Sequence, residues 1–212
     1  MQALLPALVL GGCDSSAPHR PYQTQTGAIA PRADERQCLA ALGDRHAGFT
    51  PLPDRYFAPG CAAINTVRLF SLGGDRAEIE VSNLAQVGCP IANLFANWVR
   101  FGVDRAARQI LGSPLARVET MGSYACRTIA GTDHLSAHAT ASAIDISGFT
   151  LADGRRVTVV GGWYGGGADE RLFLRTIHHS ACQRFGTVLG PDYNAAHRNH
   201  LHVELSGAAF CR

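Results

Sequence analysis

The chain has 212 residues, 46% of them hydrophobic and 17% charged, which is enough to bury one sizeable core with appendages. Its formal charge of +2 is too small and too evenly spread to present the clustered basic face that nucleic acid requires. No internal repeat runs through it.

Residues 1–13, MQALLPALVLGGC, are apolar enough to meet a membrane but too few to span one as a mature helix. They read as a signal peptide over residues 1–12 that ends in small residues. Leu10-Gly11-Gly12-Cys13 resembles the lipobox of bacterial lipoproteins, which implies export and lipidation of Cys13. The alternative is an ordinary secretory signal and a secreted protein. Residues 13–34 are rich in Pro, Ser, Thr and Gln without apolar periodicity, so a tether of about 25 Å as a flexible coil is expected there. Residues 35–212 are left as the domain.

Within that domain, helical spacing covers residues 34–46 and 90–110, the second with Pro90 suited to a first turn. Strand-like runs follow at 66–70, 77–82, 116–121, 142–149, 155–160 and 200–205, with a further helix over 169–185. Short strands that mostly succeed one another without a helix between them predict an α+β fold, a small antiparallel sheet with flanking helices. The run GGWYGGGADE at 161–170 lacks the G-K-[ST] ending of a phosphate loop, which argues against a nucleotide. It is expected to be a loop beside a cleft, with Trp163 or Tyr164 stacking on sugar or peptide, or else a plain surface loop with one buried aromatic.

With Cys13 set aside, Cys38, Cys61, Cys89, Cys126, Cys182 and Cys211 form an even set, as expected for three disulfides in an oxidising compartment. None makes a C-x-x-C pair, so neither a thiolate metal site nor a thioredoxin-like motif is supported. Fifteen pairings stay open.

Three of the nine histidines fall in AAHRNHLHVEL, residues 195–205, spaced as H-x-x-H-x-H. On a strand, His200, His202 and Glu204 share one face while Leu201, Val203 and Leu205 point into a core. Upstream, Ile144 and Ile146 form a buried face with Asp145 opposite, and His138 stands seven positions earlier, close enough to return through a short loop. His138, Asp145 and one histidine of the final run supply the three N or O ligands of a catalytic zinc site with a fourth position for water. If His202 is that ligand, His200 lies on the same face, placed to handle a proton or steady a developing oxyanion. His197 is placed to orient His200 or to touch substrate. Tyr193 and Asn194 are candidates to line the same cleft. His134 is expected to face solvent, and the helical neighbours His178 and His179 cannot share a face.

SAHATASAID, residues 136–145, resembles the S-x-H-x-x-G-x-A-x-D signature of the group that contains lysostaphin, D-Ala-D-Ala carboxypeptidases and Sonic hedgehog. The final H-x-x-H-x-H is similar to that of the penicillin-insensitive murein endopeptidases. Closer still, SYACR at 123–127, ACQRFGTVLGPDYNAAHRNHLHVEL at 181–205 and the final CR resemble the bacterial extensin-like C-terminal domain family over roughly residues 36–212. The resemblance implies a hedgehog or D,D-peptidase-like fold, Zn2+ held by His138, Asp145 and His202, a catalytic His200, a supporting His197, and an Arg127 near the substrate. Two departures stand out. Ala125 and Cys126 are inserted before Arg127, and Ala141 replaces a glycine.

Where dipeptidases of the group place a catalytic Glu, this chain has Asn199, which favours an endopeptidase acting on peptidoglycan peptides over terminal trimming. The expectation is therefore a monomeric zinc metallopeptidase in the periplasm of a Gram-negative bacterium, tethered to the membrane by a lipid on Cys13. The alternatives are an inactive zinc-containing wall-binding or signalling module, or a D,D-carboxypeptidase.

Overall fold

The computed structural model describes residues 32–207 and 209–212, so the expected signal peptide, Cys13 and nearly all of the expected tether lie outside the described residues. Helix α1 (Ala33–Asp44) starts inside the stretch expected as tether, with Asp34 and Glu35 in its first turn, where the helix dipole favours negative charge. Five short strands follow, β1 (Gly48–Pro51), β2 (Arg55–Ala58), β3 (Cys61–Ala63), β4 (Thr66–Gly73) and β5 (Glu78–Ser82), and then the two-residue β6 (Val87–Gly88). Helix α2 (Cys89–Trp98) has Pro90 in its first turn and buries Ile91, Ala92, Phe95 and Trp98. It runs on through π-helical turns at Val99–Asp104 and Ala107–Leu111 and stops at Gly112, whose φ of +72° is the left-handed conformation that ends helices.

The second half contains β7 (Leu115–Gly122), β8 (Ala143–Leu151), β9 (Arg156–Thr158), α3 (Val159–Gly165), α4 (Ala168–Cys182), β10 (Thr187–Leu189), β11 (Leu201–Glu204) and β12 (Phe210–Cys211). Ten strands form one sheet, in the order β1-β4-β5-β7-β8-β11-β10-β12, with β6 beside β4 and β9 beside β8. The fold is mixed α+β as expected, and most pairings are antiparallel, but β5 with β7 and β10 with β12 are parallel. The first of these needs a long crossover, and the α2 ribbon supplies it.

One face of the sheet packs on α2 and α4. Phe149, Ile144, Ile146, Leu201 and Val203 are fully buried beneath Phe173, Leu174 and Ile177, and Trp98 Nε1 donates to the Ile177 carbonyl at 3.2 Å. Each such aliphatic or aromatic side chain contributes about 1.5–3 kcal/mol. Disulfides join Cys38 to Cys89, Cys61 to Cys126 and Cys182 to Cys211. They tie α1 to α2, β3 to the segment before Arg127, and α4 to the last strand.

Three expectations change. The run at 155–160 ends as a strand at Thr158, because that hydroxyl accepts from Gly161 N at 3.1 Å and caps α3. The expected 161–170 loop is instead the end of α3 and the start of α4, with Trp163 1% exposed: burying the indole outweighs the poor helix propensity of glycine. Leu205 is 39% exposed rather than in the core, since β11 has already ended at Glu204.

Candidate metal centre and cleft

β8 and β11 are neighbours in the middle of the sheet, and their register sets Asp145 directly across from His202. With Ile144, Ile146, Leu201 and Val203 committed to the core, alternation sends Asp145 and His202 to the other face. His138 reaches them from a 3-10 turn, Ala137–Thr140, opened by a Ser136 cap and closed by Ala141 at φ +54°. The glycine of the wider signature therefore stands at a position that does use the left-handed region. On the far side of β8, Gly122 of β7 pairs with Asp145, which brings the next carbonyl, that of Ser123, onto His138 Nδ1.

The donor atoms converge. His138 Nε2 lies 3.2 Å from His202 Nδ1 and 3.2 Å from Asp145 Oδ2, and His202 Nδ1 lies 2.8 Å from Asp145 Oδ1. A tetrahedral ion with bonds of about 2.0–2.1 Å separates its ligands by about 3.3 Å, so the cage has the dimensions of a small four-coordinate cation. The outer hydrogen bonds point the same way. His138 Nδ1 donates to the Ser123 carbonyl and His202 Nε2 to Glu204 Oε2 at 3.0 Å, which turns the remaining ring nitrogens inward. Two lone pairs and a carboxylate then face one another, and such a set requires a positive charge at its centre. Glu204 thus steadies the outer nitrogen of His202 from a place on the wall of the adjoining cleft.

Without an ion, that charge is a proton. Burial pushes His202 down, but its bonds to Asp145 and Glu204 outweigh burial and raise it to about 9. Burial favours a neutral Asp145, yet the adjoining His138 and His202 hold its carboxyl far below the usual carboxylate range. Glu204 is likewise lowered by His202 against its own burial.

His200 is 8% exposed, and its Nδ1 donates to Asn199 Oδ1 at 2.9 Å, which leaves Nε2 as an acceptor 3.5 Å from Asp145 Oδ1. Burial lowers its pKa despite Asp145, so the ring is neutral at pH 7. His197 is lowered to about 4 by burial and by His200 and His202. Its Nδ1 binds Asn194 Oδ1 at 2.7 Å, and its ring meets those of His200 and His202 without a hydrogen bond to either.

His197, His200, His202 and Glu204 line a cleft of about 330 Å³ with Arg127, Ile129, Tyr193 and Phe210 also on its walls, while His138 and Asp145 are not part of its lining. Arg127 is exposed on the rim and, among the described residues, forms no ion pair. Of the expected residues, His202, His200, His197, Arg127, Tyr193 and Asn194 line the cleft, and His138 and Asp145 are joined to it through the cage they form with His202. Trp163 and Tyr164 do not line this cleft, His134 is exposed, and His178 and His179 bond the Arg212 carbonyl and Gln183. The Ser123 carbonyl carries no signal in the sequence, because any residue type supplies it.

The family model for the extensin-like protein C-terminus matches residues 36–212. The chain belongs to that family. The match takes in the whole extensin-like domain described above, from α1 to β12. No curated protein and no solved structure matches the chain.

Proposed function

We propose that this domain is a zinc-dependent hydrolase that cuts an amide bond in the peptide cross-links of peptidoglycan, in the manner of a D,D-endopeptidase. One observation carries the reading: His138 Nε2, Asp145 and His202 Nδ1 converge within 4.8 Å of one another, and His202 and a neutral His200 with an acceptor nitrogen line the adjoining cleft. Two imidazoles and a carboxylate suit zinc better than calcium or magnesium, which prefer all-oxygen sites. Bound there, zinc would supply Lewis acidity, polarising a carbonyl and bringing the pKa of water to about 7. His200 Nε2 takes a proton from the water that adds to the amide carbonyl and returns it to the leaving nitrogen as the C–N bond breaks, giving a carboxyl group and an amine. Arg127 holds a carbonyl or carboxylate of the substrate from the rim. Ile129, Tyr193 and Phe210 seat the aliphatic part of the peptide and exclude water. Export, with a lipid on Cys13 as the anchor, is supported by the lipobox resemblance and by three disulfides, which persist in oxidising compartments.

The test is to incubate the purified chain, zinc-loaded and chelated, with cross-linked peptidoglycan and resolve the fragments by mass spectrometry. Metal-dependent loss of cross-linked dimers that disappears in His200→Ala is the expected result. Tight zinc binding with no fragments from any wall preparation overturns the hydrolase and leaves a wall-binding module.

A further inference from the structure

Outside the cage, the carboxylate of Asp192 uses both its oxygens. Oδ1 accepts from Trp163 Nε1 at 2.9 Å and from the Tyr164 hydroxyl at 2.7 Å, while Oδ2 pairs with Arg175. The same hydroxyl reaches the Pro191 carbonyl at 3.1 Å, and the Arg175 guanidinium lies 4.0 Å over the Trp163 ring. Side chains of α3 and α4 therefore grip the segment that follows Gly190. Tyr193, on the cleft wall, comes next in the chain. After it, the Asn194 side chain accepts from Ala196 N at 3.0 Å, His197 N at 3.2 Å and His197 Nδ1. The His197 ring closes the path, edge-on to His202 with ring centres 5.9 Å apart.

A connecting segment of this kind is ordinarily mobile, and charge-assisted bonds on both carboxylate oxygens are strong enough to still it. We propose that Asp192 is a positioning residue that holds residues 193–197 against the metal centre. The Trp163–Tyr164 pair then serves the site by bracing it from behind and not by stacking on substrate. Asp192→Asn tests this, because an amide would turn N–H groups toward Arg175 where an acceptor is needed.

The effect on turnover rests on the hydrolase reading, so the deciding measurement is hydrogen exchange on the full chain. In Asp192→Asn the amides of residues 193–198 are expected to exchange about tenfold faster or more, while those of 144–146 and 201–203, locked in the β8–β11 ladder, stay as they were. Tyr164→Phe should act in the same direction and less. Asp153→Asn, which breaks a comparable pair with Arg155 in the β8–β9 turn, should leave 193–198 unchanged. Zinc affinity should stay within about twofold in Asp192→Asn while release of wall fragments falls. Unchanged exchange at 193–198, or an acceleration spread equally over β8 and β11, overturns the proposal. Lack of fragments from the unaltered chain counts against the hydrolase reading alone.

Discussion

With no metal in the cage, the domain should be fragile in alkali. His202 holds its proton up to about pH 9 in the metal-free fold, against an ordinary 6.5, because Asp145 and Glu204 both accept from it. At about 1.4 kcal/mol per pH unit, that interval is worth about 3 kcal/mol. The folded value lies above the unfolded one, so this stability is complete below pH 6.5 and is lost as pH climbs to about 9. In calorimetry with chelator present, the midpoint should fall by about 6–12 °C between pH 6 and pH 9.5. On the proposed function, zinc would take the place of the proton on Nδ1, so the loaded protein should show no such fall. A chelated protein equally stable at both pH values, or a loaded one that falls as far, refutes this account of the cage.

Glu204→Gln weakens the grip on His202 Nε2 and should lower zinc affinity about 10–100-fold in a chelator competition, with His138 and Asp145 untouched. Ala141→Val places a β-branched side chain at φ +54° in a fully buried spot and should cost about 2–4 kcal/mol in urea unfolding. Ala141→Gly should stay within about 1 kcal/mol, since relieved strain and a lost buried methyl oppose each other. Removing the Cys61–Cys126 link, which spans 65 positions, should lower stability by about 4 kcal/mol through loop entropy and also loosen the wall that carries Arg127.

The candidate centre was legible because its logic is local. Alternation along 144–146 and 201–203 separates the two faces without reference to anything distant, and Ile144, Ile146, Leu201 and Val203 lie in the core as that rule requires, whereas His202, expected on a wet face, is only 5% exposed. Alternation fails one step later, at Leu205, because it says nothing about where pairing stops. The strands β1, β2, β3, β6, β10 and β12 passed unread: each has two to four residues and, unlike the equally short β9 and β11, none lies in a longer run of strand-like sequence. The parallel pairing of β5 with β7 depends on how the α2 ribbon crosses the sheet, which is a tertiary outcome. Disulfide partners lie 51, 65 and 29 positions apart, and no local property encodes such distances. Trp163 defeated propensity outright, because burying an indole outweighed the cost of glycines around it. Asp192 had no signal at all, since its partners come from two helices earlier in the chain.

The cross-strand pairing of Asp145 with His202 spans 57 positions, with β9, both later helices and β10 in between. Such a closure is a late event in folding, since the entropy of a long loop must be overcome before the contact forms. Until β11 docks, a passing ion meets at most an aspartate and one imidazole. If the cage holds zinc as proposed, choice among metals falls to the finished molecule and not to the emerging polypeptide, and a chain stalled before that docking would have no means of retaining one.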